Sequence, residues 1–204
     1  MIMPDKVREE CFRTAIFMNK FEKGREKRKE MLSVQYEKNS GNIETAYTYG
    51  AYCFLYGEKG DILDQKDAIV EAQRVFNMIS QMDKNEWLAR YFSIRLNMLV
   101  SDDFRNDKDI YDEIVELEQD EEKMDDIVYT QMTKLMKAES LFNMKRYDES
   151  KELLKQIQDN PKKVVRLKDF FFNQVSSLYR KMIICQQNEF ADAVKEIQDE
   201  LFAV

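Results

Sequence analysis

A chain of 204 residues without a single histidine has few ways to do chemistry. No Ser-His or Cys-His nucleophile can be assembled, and no imidazole is present for a zinc or carboxylate-bridged di-iron centre. Carboxylates, lysines and three cysteines remain. Acids gather at Asp102, Asp103, Asp107, Asp109, Asp112 and Glu113. A calcium loop needs acids at its first, third and fifth positions, glycine at the sixth and glutamate at the twelfth, and no register of this segment supplies them. Acids at the start of a helix, where the helix dipole favours negative charge, account for the run without a metal. No cofactor is expected. Cys11, Cys53 and Cys185 lie far apart with no Cys-x-x-Cys pair, so they are expected to be reduced and mostly buried.

The remaining charge is patterned. Asp112, Glu113, Glu116, Glu118, Asp120, Glu121, Glu122, Asp125 and Asp126 are offset by Lys123 alone. Such a run is either a solvated face or a docking surface for a basic partner. Lys20, Lys23, Arg25, Lys27, Arg28 and Lys29 form the opposite patch, where Glu22, Glu26 and Glu30 stand at spacings that predict intrahelical ion pairs. A homodimer is one way for the two patches to meet. The formal charge of -7 argues against a nucleic-acid binder, whose affinity rests on cations neutralising phosphate. No run of 18 apolar residues is present to span a membrane, and Asp5, Lys6, Arg8, Glu9 and Glu10 interrupt what a signal peptide needs to be apolar. A cytoplasmic location is expected.

Five glycines and two prolines are too few turn formers for a many-stranded sheet, so the chain is expected to be all-α, with 44% apolar residues to fill one core over 1–204. Helices are expected at about 6–21 and 24–38, at 43–56, and along the stripe Ala68, Ala72, Val75, Phe76, Ile79 and Met82. The next helix carries Trp87, Tyr91, Ile94 and Met98 on one face and Leu88, Phe92, Leu96 and Leu99 on another, which predicts that it is sandwiched. Its partner, about 107–122, is mostly acidic and should be the most exposed. Later helices are expected at about 163–187 and 190–202. The aromatic cluster Tyr47, Tyr49, Tyr52, Phe54 and Tyr56 spans more than one helix face. Two readings follow: a core helix covered on both sides, or a tyrosine-lined ligand groove.

Residues 124–161 carry the most specific pattern. Ala138, Leu141, Ser150, Leu154, Ile157 and Pro161 stand where a helical hairpin needs small residues for close approach, large ones to fill the gap, and a proline to stop the second helix. Placing Phe190 over Tyr147 superimposes Ala193 on Ser150 and Ile197 on Leu154, an offset of 43 residues. In these features the chain resembles a tetratricopeptide-repeat (TPR-like) protein. The resemblance implies about ten helices, antiparallel hairpins stacked as a right-handed solenoid, with residues 1–40 as an N-terminal capping hairpin and 42–203 as TPR-like hairpins. It departs from the family at Lys181, where a small residue belongs, and in a loop lengthened around Gly60.

The family's first helices line a concave surface that holds peptides or partner helices. Carried over by position, that surface implies Met132, Glu139, Phe142 and Asn143 in one hairpin and Met182 and Gln186 in the next. In the earlier hairpins it implies Tyr47, Phe54, Phe92 and Arg95. Asn143 and Gln186 fall at equivalent places in this alignment, where an amide can grip a peptide backbone. The Lys and Asn clamp by which some members hold a C-terminal carboxylate is not reproduced. A non-catalytic binding module acting as an adaptor or scaffold is therefore expected. Its rivals are a regulatory peptide-sensing domain acting through a protein partner and a helical carboxylate enzyme.

Overall fold

The computed structural model describes residues 5–39, 41–57, 62–84, 86–99, 106–121, 127–161, 164 and 168–203. Among them are ten helices and no strand: α1 (Asp5–Asn19), α2 (Arg25–Lys38), α3 (Ile43–Gly57), α4 (Ile62–Met82), α5 (Trp87–Asn97), α6 (Asp107–Glu121), α7 (Ile127–Asn143), α8 (Tyr147–Asp159), α9 (Lys168–Ile184) and α10 (Asn188–Phe202). The chain is all-α, as its composition implies. Gly60, Asp102, Asp103, Glu122 and the acids Asp125 and Asp126 lie outside the described residues. Two compact units divide the chain, Met1–Leu99 and Val100–Val204.

In the first unit α3 is the axis. After Glu44 its sequence has no charged residue, so no face of it belongs in water, and every residue from Tyr49 to Gly57 is buried. Helices α1, α2 and α4 all pack on it. The α3–α4 approach is close because Gly50 has no side chain: a Cβ there would stand 3.1 Å from Val75 Cγ1 and 3.2 Å from Phe76 Cζ. Phe92 of α5 stacks at 4.9 Å on both Phe12 of α1 and Phe76 of α4, which makes one aromatic core from four helices with Tyr47. Residues 1–40 were expected to close on themselves as a capping hairpin. Instead α1 and α2 barely touch and each lies on α3, because α2 buries only Leu32 and Tyr36 and has no apolar face left for α1.

The second unit is built from hairpins. Helix α7 pairs with α8 and α9 with α10, while α6 packs on α7 and α8 on α10. Ser150 Oγ donates to the Ala138 carbonyl at 2.7 Å, and both residues are 1% exposed, so the small residues do mark the close approach. Both hairpin turns are alike. Lys145 and Gln186 adopt left-handed φ values of 62° and 58°, and the following amides, of Arg146 and Gln187, each return at 2.9 Å to Leu141 and Met182 carbonyls. Matched on these turns the offset is 41 residues, not 43. The small buried residue corresponding to Ser150 is therefore Ala191, while Ala193 is half-exposed. The aromatic match misled because Tyr147 is 39% exposed and Phe190 is buried, so the two do different work. Asn143 ends α7 whereas Gln186 lies in the turn after α9, and they are not equivalent.

Candidate functional site

The structure takes the core alternative for the aromatic cluster. Tyr47, Phe54, Phe92 and Arg95 are each at most 6% exposed, so as folded here they pack within the first unit and present no groove. Arg95 Nη1 lies 3.8 Å from Met98 Sδ. Tyr47 donates its hydroxyl to Glu86 Oε2 at 2.8 Å, and Arg8 Nη2 stands 3.0 Å from Glu86 Oε1. Glu86 is wholly buried and Arg8 nearly so. Burial, and then the Glu86 charge, pushes the Tyr47 hydroxyl well above its ordinary pKa. This triad ties α1, α3 and the start of α5 together. Nothing in the sequence marks Glu86 as special except that it directly precedes a helix apolar on two faces.

The ion-pair ladder expected on α2 does not form. Among the described residues the cations at 20–29 have no carboxylate partner, and Glu22, Glu26 and Glu30 likewise have no cation. Backbone carbonyls and rings compete for the cations instead. Arg25 donates to the Tyr56 carbonyl at 3.0 Å, and Arg28 to those of Lys23 and Phe21. Cation and anion on α2 thus part company.

In the second unit Met132 and Met182 are 1% exposed and Phe142 is 7%, its ring against Tyr147 and Phe190. Glu139 is 5% exposed. Gln186 is exposed and Asn143 half-buried. The residue that gathers this region was noticed in the sequence only as a misfit. Lys181 reaches from α9 to α7, where its ammonium donates to Glu139 Oε1 at 3.0 Å and to Asn143 Oδ1 at 2.7 Å. The buried Asn143 Nδ2 group has no acceptor among the described residues. Part of the acid run is already answered within the unit, since Lys137 of α7 pairs with Glu118 of α6.

The thiols divide by position. Burial raises the Cys11 thiol and pushes Cys53 up to about 12, which suppresses the thiolate that a nucleophile needs, while Cys185 is exposed beside the α9 turn. Among the described residues no three Asp, Glu or Cys side chains are placed to share a metal, and no helix is long and apolar enough to cross a membrane. No protein-family model matches this chain, and neither does any curated protein sequence or any solved structure. Its class is that of an all-α protein of packed helices; its work has to be read from its surfaces.

Proposed function

We propose that this chain is a non-catalytic, tetratricopeptide-like binding module that holds a segment of a protein partner and acts as an adaptor. One observation carries the reading: Lys181 bridges α9 to Glu139 and Asn143 on α7, and α8 packs on α10. That bridge supports a reading in which the two first helices share one face, as in the resembled family's peptide-binding surface. On that face Asn143 offers an amide with a donor still unused, and Lys181 adds an ammonium of which two protons are engaged. The Asn143 Nδ2 atom is buried as folded here, so gripping a peptide carbonyl requires the side chain to turn and give up its bond to Lys181. A peptide gripped this way is held by its main chain, and its side chains are then free to set specificity.

Partner capture from the native host tests the assignment. Asn143→Ala with Lys181→Ala, checked for folding by circular dichroism, should release what the parent retains. Asp112→Asn with Glu116→Gln on α6 should not. Retention by the first variant would place binding elsewhere.

A further inference from the structure

A cleft of about 890 Å³ opens in the first unit between α2 and α4, with α3 beneath it. Tyr49 and Tyr56 form its floor and are 3% and 5% exposed. Its walls carry Glu26, Glu30 and Glu37 from α2 and Asp67 from α4, all exposed and none with an ion-pair partner among the described residues. Arg25 and Arg28 of α2 turn to backbone carbonyls, while Glu26, Glu30 and Glu37 line the cleft with Lys29 among them. Glu26 and Glu30 repel one another at the four-residue spacing, a small standing cost that folding alone does not require.

The chain's own cations show what this surface accepts. Arg74 sits in the wall with its guanidinium bonded to both Glu71 oxygens, at 3.1 and 2.6 Å, and 5.4 Å above the Tyr36 ring. A carboxylate plus a tyrosine face is a complete seat for a guanidinium. The Tyr56 ring is a second such face and already carries two cations, Arg25 at 4.5 Å and Lys29 at 5.0 Å from its centroid. Arg25 is held there by the Tyr56 carbonyl, whereas Lys29 has no ion-pair partner among the described residues and is the cation an incoming one would displace. The wall acids extend from Glu26 to Glu37, a rise of about 16 Å along α2, which matches about five residues of extended chain.

We propose that this cleft binds a lysine- and arginine-bearing extended segment of a protein partner, its cationic side chains seated between the α2 acids, Asp67 and the tyrosine floor. Alternate residues of an extended segment face the same way, so cations at every second position reach the cleft together. Lys29 leaves its ring to make room. This surface lies in the first unit and does not depend on the Asn143 and Lys181 assignment.

Fluorescence anisotropy with a labelled Lys-Ala-Lys-Ala-Lys-Ala peptide and the full chain at about 0.15 M salt is the direct test, with a Glu-Ala peptide as control. The Lys-Ala peptide should bind and the Glu-Ala peptide should not. Glu30→Gln with Glu37→Gln and Asp67→Asn, all exposed and so tolerated by the fold, should weaken binding at least tenfold. Removing the same charge from the second unit, by Asp112→Asn, Glu116→Gln and Asp192→Asn, should change it less than twofold. Lys29→Met should tighten binding more than Lys27→Met, which removes an equal charge from an exposed site. Equal weakening by the two triple variants, or equal effects of the two lysine changes, would reduce the attraction to net charge and overturn the proposal. So would absence of binding, and so would a dimer in sedimentation that dissolves in the cleft variant, which would assign the cleft to a second copy.

Discussion

Glu86→Gln is the perturbation whose size the structure sets best. The side chain of Glu86 is 0% exposed and that of Arg8 is 7%, so removing the carboxylate charge leaves a guanidinium that water cannot reach. At 3.0 Å the pair attracts by about 5 kcal/mol for an effective dielectric of about 20. Breaking a buried pair from one side costs about 3–5 kcal/mol in general. Glutamine also has one acceptor where glutamate served both Arg8 and Tyr47, so one of those hydrogen bonds is lost. A loss of about 4 kcal/mol is expected. Urea unfolding followed by fluorescence reads it well, because the chain's one tryptophan, Trp87, is buried beside Glu86 and reports this unit alone. With a slope of about 1–2 kcal/mol per molar, the midpoint should fall by about 2–4 M. Arg8→Met combined with Glu86→Gln removes the stranded charge and should recover at least half of the loss, a coupling read as non-additivity. A single-variant cost below about 1 kcal/mol, or simple additivity in the double, would refute the buried pair as the seal between α1 and α5.

Three further outcomes follow from the same structure. Titration with a thiol reagent should count one fast cysteine, Cys185, in the native chain and three in denaturant, since Cys11 and Cys53 are buried. Ala138→Leu should destabilise the second unit by about 1–3 kcal/mol through overpacking against Ser150, with melting by circular dichroism as the measure. The hydrogen bonds from Arg74 hold the Glu71 carboxyl below its usual 4.5, so the charged form is favoured in the native state. That contribution is present above about pH 4.5 and fades as pH falls through the lowered value. Glu71→Gln should therefore lose less stability than the parent between pH 6 and about pH 3 in urea titrations, by a small margin because the pair is largely solvated.

Much of the scaffold can be read from the residue types, because helical periodicity is a local property. The stripe ending at Met82 became α4, the two-faced segment from Trp87 became a helix buried on both sides, and Ala138 with Ser150 did mark a close approach. Tyrosine was the ambiguous letter. A ring with a hydroxyl suits a groove as well as a core, and what decides is which helices cover it, a matter of long-range packing. The Tyr47 hydroxyl is satisfied in the core because a carboxylate 39 residues away accepts its hydrogen bond, and no local pattern announces that. The turns at Lys145 and Gln186 were hidden for another reason: both take a left-handed conformation that glycine usually signals, with a lysine and a glutamine in its place. The missing ion-pair ladder on α2 shows the limit of spacing rules, since exposed cations choose carbonyls and rings that belong to other segments.

The Arg8–Glu86 bridge spans 78 residues, and that distance along the chain sets an order of events. During synthesis at about 5–20 residues per second, α1 waits on the order of 4–16 s for the residues that seal it. Helix α3, uncharged after Glu44, is finished in that interval while Trp87 and Phe92 are still unmade. Closing so long a loop is slow and entropically costly, so the first unit completes late and all together. A nascent chain stalled just short of Glu86 has already made the three helices that pack on α3, but lacks the carboxylate that joins Arg8 to Tyr47. The arrival of one glutamate is thus what completes the buried polar link between the first and fifth helices of this unit.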